Sequence, residues 1–115
     1  MKTSKKDFAI FQKTFLKYVK ILGLTDYKIY FRHKYTKNAF SELESLESGK
    51  LVTAIMTTDL DDFDAKVFSP AASAKHEVIH LLLTRIHYLA ENRYASESSI
   101  DEEIEGLVRK LEDLL

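Results

Sequence analysis

The sequence contains no cysteine and little glycine or proline, and each shortage excludes a class of structure. Without cysteine there can be no disulfide and no cysteine-ligated zinc or iron–sulfur site, so any bound metal must be held by histidine, aspartate or glutamate. Three glycines and one proline argue against a long flexible linker. The 115 residues therefore predict one domain, residues 1–115, with a single hydrophobic core.

Long hydrophobic runs are also missing from the sequence. No stretch approaches the roughly 18 consecutive apolar residues that a membrane-spanning helix needs. The N-terminal segment is basic, but Lys13, Lys17 and Lys20 interrupt its apolar residues, which is not the pattern of a secretory signal. We therefore expect a cytoplasmic protein without a membrane partner.

Charge is nearly balanced over the whole chain, at −1, but the two signs are separated. Residues 1–37 carry ten Lys or Arg and two acids, whereas residues 96–115 carry seven acids and two bases. A basic segment is one feature of nucleic-acid-binding modules, but no recognised nucleic-acid motif accompanies it here. We favour solvated helix faces, or mutual attraction of the two ends, and expect no specific nucleic-acid binding.

The first half of the chain predicts one helix and then three strands. Ser4 is a typical N-cap and Gly23 a typical stop, and apolar residues recur between them at steps of three and four. Residues 27–35 alternate between apolar and polar, which is typical of a half-buried strand. Two further strands flank a turn at residues 48–50, and the second of them is the more apolar.

The second half predicts two helices. Ser69 and Pro70 are a good helix opening, and the helix that they begin can run to about Asn92. Ser99 and Glu102 have the spacing of a capping box before an acidic last helix. Together these elements predict an α+β fold, with an N-terminal helix, a small three-stranded and mainly antiparallel sheet, a central helix and a C-terminal acidic helix.

The central helix contains the motif HEVIH at residues 76–80 within a mostly apolar segment. Side chains four residues apart project from the same face of a helix, so the imidazoles of His76 and His80 can meet at one zinc ion. Glu77 is then placed to accept a proton from a zinc-bound water, which zinc makes nucleophilic near neutral pH. The alternative is a pair of core histidines that find their hydrogen-bond partners within the protein.

The motif, the small sheet before it and the acidic helix after it resemble the gluzincin branch of zinc metallopeptidases. The closest likeness is to the short single-domain metallopeptidases of phages and mobile elements, and it rests mainly on residues 70–115. The resemblance implies a minimal zincin-like domain that binds Zn²⁺ and hydrolyses peptide or protein substrates, with Glu77 as the general base. It also implies that an extended peptide pairs with a strand edge beside the motif helix, for which residues 51–58 are the candidate.

The resemblance further implies that a glutamate on the helix after the motif completes the zinc site. Within the motif helix, His87 and Glu91 lie about 10 Å and 16 Å beyond His80 along the axis, too far to reach the same ion. On the last helix Glu103 flanks the predicted apolar face, whereas Glu102 points nearly opposite. We therefore predict Glu103 as the third ligand, in preference to Glu102 and Glu91.

Two other functions fit the same sequence. The chain shows no downstream domain of the kind that supplies an extra transition-state donor in larger gluzincins. A catalytically silent zinc domain that binds a protein partner through the same cleft is therefore one alternative. A nucleic-acid-binding module that uses residues 1–37 is the other. Zinc content separates the two zinc proteins from the third possibility, and peptide turnover that is lost on chelation separates the enzyme from the silent domain. The oligomeric state is left open.

Overall fold

The computed structural model describes residues 1–114, without the side chain of Glu47. Within this range the chain forms four α-helices, a three-stranded sheet and one short 3-10 turn. The predicted α+β class is confirmed. The structure also contains a short helix at residues 62–67, between the third strand and the central helix, which was not predicted. The elements are α1 (Lys5–Ile21), β1 (Lys28–His33), β2 (Ser41–Leu46), the 3-10 turn (Glu47–Gly49), β3 (Leu51–Met56), α2 (Asp62–Val67), α3 (Pro70–Glu91) and α4 (Glu97–Glu112).

Helix α1 begins and ends where its local sequence predicts. The Ser4 hydroxyl accepts a hydrogen bond from the Asp7 N–H at 3.0 Å, and the Asp7 carboxylate accepts one from the Ser4 N–H at 2.9 Å. This reciprocal pair is a capping box. Gly23 follows the helix with a φ of +68°, a left-handed conformation that glycine adopts without the steric cost of a side chain. Phe11 and Phe15 are fully buried, which anchors the helix to the core.

The sheet is mixed rather than mainly antiparallel, with the strand order β1-β3-β2. β1 runs parallel to β3, whereas β2 runs antiparallel to it. The hairpin of β2 and β3 is a local structure and follows from the turn at residues 48–50. Long-range packing determines which strand of the hairpin pairs with β1. The local sequence pattern does not predict that choice.

The strand order corrects the predicted docking strand, because residues 51–58 include β3 and β3 is the interior strand. Its residues Val52, Ala54 and Met56 are almost completely buried. The strand at the edge beside α3 is β2, whose sequence SELESL is mostly polar and suits a position with water on one side.

Helices α1 and α3 pack together over one face of the sheet and share one core with it. Ala74, Val78 and Leu81 on α3 are at most 1% exposed, so this side of the motif helix is fixed by close packing. None of the described helices has the length and apolarity that a membrane span requires. The buried residues of the core are Phe11, Phe15, Val19, Leu22, Leu24, Tyr27, Val52, Ala54, Met56, Ala74, Val78, Leu81, Leu82 and Leu107.

Helix α4 begins one turn earlier than the capping box at Ser99 and Glu102 predicted. The N-cap is Ser96, whose hydroxyl accepts a hydrogen bond from the Ser99 N–H at 3.1 Å. Ser96 and Ser99 offer the same capping chemistry. The helix that begins after Ser96 is the more stable of the two, because it has one more turn of backbone hydrogen bonds. Glu102 therefore lies within the helix and is exposed, without a capping role.

Candidate metal and catalytic site

Helix α3 places the HEVIH motif in its second and third turns, as predicted. Its N-cap Ser69 accepts a hydrogen bond from the Ala72 N–H at 3.1 Å, and Pro70 occupies the first helical position, where its missing N–H costs nothing. The helix is continuous to Glu91, so the two motif histidines lie one turn apart on the same side.

The imidazoles of His76 and His80 converge on one another at the exposed surface of α3. Their Nε2 atoms are 3.1 Å apart, and the two rings stand at 75° to each other. Two nitrogen ligands at about 2.0–2.1 Å from a tetrahedral zinc ion are about 3.3 Å apart, so the observed separation suits two ligands of one ion. The same separation also suits a single hydrogen bond, in which one ring donates to the other.

The Glu77 side chain lies next to this pair but turns inward, and the residue is only 5% exposed. The Ser41 hydroxyl, at the start of β2, donates a hydrogen bond of 2.6 Å to Oε2 of Glu77. An ionised carboxylate can accept up to about four hydrogen bonds, so this contact orients the group and leaves it able to accept from another donor. Ser41 thus links the edge strand directly to the residue predicted as the general base.

A cavity of about 400 Å³ lies where β2, the end of α2 and the first turns of α3 meet, and both His76 and Glu77 border it. Phe40 supports one wall through an edge-to-face contact with Phe68, whose ring centre is 5.4 Å away. The cavity can therefore hold an apolar group against the motif. Its lining residues are Ala39, Phe40, Ser41, Val67, Ser69, Ala72, Ser73, His76 and Glu77.

A second cavity, of about 500 Å³, continues along the same side of α3 toward its C-terminal end. The polar stripe of α3 is formed by His76, His80, Thr84, His87 and Glu91. The cavity lies between the end of β2 and this stripe, so the two cavities border the same strand at its opposite ends. We call this surface, between β2 and the polar stripe of α3, the β2–α3 groove. The second cavity is lined by Ser45, Leu46, Ser48, Thr84, His87, Tyr88 and Glu91.

The edge strand presents alternate backbone groups along this groove. The Thr57 N–H donates to the Phe40 carbonyl at 2.9 Å in line with the β2–β3 register, so these two residues form a hydrogen-bonded pair. Such pairs alternate along an antiparallel ladder. The N–H and C=O groups of Ser41, Leu43 and Ser45 therefore point away from β3, toward the outer edge of the sheet, where an extended peptide can pair with them.

Glu103 faces inward, as its helical phase predicted, but on another side of α3. It is half-buried, whereas Glu102 is exposed. Glu103 borders a cavity of about 200 Å³ together with Leu81 and Arg85. Arg85 is about half a turn round α3 from His76, so Glu103 is not brought to the two histidines. Among the residues whose side chains are described, which leaves out Glu47 and Leu115, no group of three or more histidines and acids is arranged to hold a metal ion.

Two residues of the stripe nearer the C-terminal end of α3, His87 and Glu91, pair with each other rather than with the motif. His87 Nε2 and Glu91 Oε1 are 2.7 Å apart, and both side chains are 72% exposed. They border the second cavity, as expected from their distance along the axis beyond His80. Their position makes them candidates for contacts with a ligand in the β2–α3 groove.

Ser41 is the site residue that the sequence did not predict. It lies in a short polar strand 36 residues before Glu77, and the contact arises only because β2 packs against α3. No match was found among protein-family models, curated protein sequences or solved structures. The features that indicate a function are the convergent histidines, the inward glutamate and the edge strand beside them.

Proposed function

We propose that this protein is a zinc-dependent metallopeptidase that hydrolyses peptide bonds in a peptide or protein substrate. The observation that carries the proposal is the convergence of the His76 and His80 Nε2 atoms, 3.1 Å apart, with the Glu77 carboxylate on the adjacent position of the same helix. Two nitrogen ligands and one proton acceptor within a single helical turn are part of the set that metal-assisted hydrolysis requires, and a third protein ligand would complete it.

Each residue has a separate role in the proposed reaction. His76 and His80 would hold a zinc ion through Nε2, and the ion would supply the Lewis acidity that makes a water nucleophilic near neutral pH. Glu77 accepts the proton from the attacking water and can return it to the leaving amine. Ser41 keeps the Glu77 side chain in one orientation through the 2.6 Å hydrogen bond.

A third protein ligand would come from α4. Glu103 remains the predicted ligand from the sequence resemblance, but it borders a cavity with Leu81 and Arg85 rather than with the histidines. To join His76 and His80, α4 would have to shift across α3. Only Leu107 of α4 is buried, so few apolar contacts oppose such a shift.

The β2–α3 groove is the proposed substrate site. An extended peptide that pairs with the outer edge of β2 would use the backbone groups of Ser41, Leu43 and Ser45, and its scissile bond would lie beside the motif. The cavity beside Glu77 would then take a neighbouring apolar side chain of the substrate. We propose a cytoplasmic location for this activity.

One observation favours the catalytically silent alternative. Glu77 is only 5% exposed and already accepts a strong hydrogen bond, so its carboxylate is less available to water than an open base would be. A zinc domain of this kind would bind a protein partner through the same groove without cleaving it. Both functions require zinc, and only the first predicts turnover.

The Glu77→Gln variant tests the proposed reaction. The amide keeps the shape of the side chain and can still accept from Ser41, but it cannot take a proton. We expect zinc to remain bound while hydrolysis of a generic peptide mixture falls by about 10²–10⁴-fold. Glu97→Gln, at an exposed position outside the groove, is the matched control and should retain activity.

Two outcomes contradict the proposal in different ways. If Glu77→Gln cleaves peptides as fast as the wild-type protein, Glu77 is not the base. If the zinc-loaded wild-type protein cleaves no member of the mixture, the silent domain becomes the better account. Loss of wild-type activity on chelation is the expected companion result.

A further inference from the structure

A second surface of the molecule, away from the motif histidines, exposes a cluster of apolar side chains. An apolar groove of about 310 Å³ lies between α1, α3 and α4. Ile21, Ile79, Leu111 and Leu114 border it and remain 44–46% exposed. Apolar groups clustered in this way are a typical feature of protein–protein interfaces. The groove is lined by Tyr18, Ile21, Leu22, Lys75, Ile79, Leu82, Leu111 and Leu114.

The two outer helices that border the groove carry opposite charges on their exposed sides. On α1, Lys6, Lys13, Lys17 and Lys20 lie within one stripe and are all exposed. On α4, the exposed acids at positions 101, 105 and 112 form a comparable stripe. One helix is therefore basic and the other acidic along the same apolar groove.

Among the described residues, no ion pair joins these two stripes within one copy of the chain, and Glu105 pairs with Arg109 on its own helix. Between described residues, the ion pairs join Lys2 to Asp59, Lys50 to Asp26, His87 to Glu91 and Arg109 to Glu105. None of them joins a lysine of α1 to an acid of α4. The contact seen between the two ends of the chain is a hydrogen bond of 3.0 Å from Lys110 Nζ to the Gly23 carbonyl.

We propose that a second copy of this chain covers the groove. In a two-fold dimer, α1 of each copy can face α4 of the other, so the lysine stripe meets the acidic stripe twice. The apolar side chains of the groove become the centre of the interface, and the charges form its rim. In this arrangement one partner buries the apolar groove and pairs with both charge stripes. The dimer does not depend on the metallopeptidase proposal.

Charge reversal tests the proposal. Two variants with opposite reversals should each dimerise poorly but should associate with each other, which is expected only if the partner is a second copy of this chain. We expect the wild-type protein to form dimers, measured by sedimentation equilibrium at low salt over a hundredfold range of concentration. Lys13→Glu with Lys17→Glu, and separately Glu105→Lys with Glu112→Lys, should each raise the dimer dissociation constant by about tenfold or more. An equimolar mixture of the two variants should restore dimers of one copy each, seen by native mass spectrometry.

A matched control separates the rim charges from a general effect of net charge. Lys34→Glu with Lys37→Glu changes the net charge by the same amount at exposed positions that do not border the groove, and should dimerise like the wild-type protein. Circular dichroism verifies that each variant is folded. The proposal is overturned by a wild-type monomer at every concentration, by folded reversal variants that dimerise normally, or by a mixture that does not associate.

Discussion

The contact between Ser41 and Glu77 allows a quantitative prediction for the Ser41→Ala variant. Glu77 is 5% exposed, and the Ser41 hydroxyl donates to its carboxylate at 2.6 Å. A hydrogen bond to a charged group contributes about 1.5–3 kcal/mol, and its loss leaves a buried acceptor unsatisfied. Ser41 is itself only half-buried and borders a cavity that water can enter, so we expect the lower part of that range.

The predicted loss is about 1.5–2 kcal/mol in the free energy of unfolding, or about 6–10 °C in the melting temperature for a domain of this size. Urea denaturation followed by circular dichroism measures it. Ser45→Ala, at an exposed position on the same strand, is the matched control and should change stability by less than about 0.5 kcal/mol.

A double-mutant cycle assigns the effect to this contact. In a Glu77→Gln background the hydroxyl donates to a neutral amide, so Ser41→Ala should cost less than it does in the wild-type protein. Two results would contradict this role of the contact. One is an equal loss of stability in Ser41→Ala and Ser45→Ala. The other is an equal loss for Ser41→Ala in the wild-type and Glu77→Gln backgrounds.

Two further predictions concern the third ligand and the basic N-terminal segment. Glu103→Ala should greatly weaken zinc binding, whereas Glu102→Ala, exposed and without a capping role, should leave both zinc content and stability nearly unchanged. Zinc retained by both variants would show that the ligand lies elsewhere. DNA and RNA should bind at moderate salt with dissociation constants of about 10⁻⁴–10⁻⁶ M and without sequence preference, as measured by fluorescence anisotropy. A tight, sequence-dependent complex would favour the nucleic-acid alternative.

Local features of the fold were predictable because a few neighbouring residues determine them. The Ser4 and Asp7 capping box and the Ser69-Pro70 opening each depend on hydrogen bonds or backbone angles within one helical turn. The convergence of the motif histidines belongs to the same class, because it follows from the four-residue spacing on a helix. The prediction of Ser99 as the cap of α4 was wrong, because Ser96 meets the same local requirement and is the cap in the structure.

Features that depend on how elements pack were not predictable in the same way. Residue order predicts the β2–β3 hairpin but not that β3 lies between β1 and β2, which moves the candidate docking strand to β2. Helical phase predicts that Glu103 faces inward but not which side of α3 the last helix covers. Ser41 reaches Glu77 only through strand-to-helix packing, so no local pattern marks it.

The zinc content of single-histidine variants tests the central claim most directly. His80 and His87 are both exposed on the polar stripe of α3, but only His80 converges with His76. Zinc titration by calorimetry, with metal analysis of the purified proteins, should show one high-affinity zinc per chain in the wild-type protein and in His87→Ala. His80→Ala should lose that site while remaining folded. A wild-type protein that binds no zinc, or a His80→Ala variant that binds it as tightly as His87→Ala, would contradict the account.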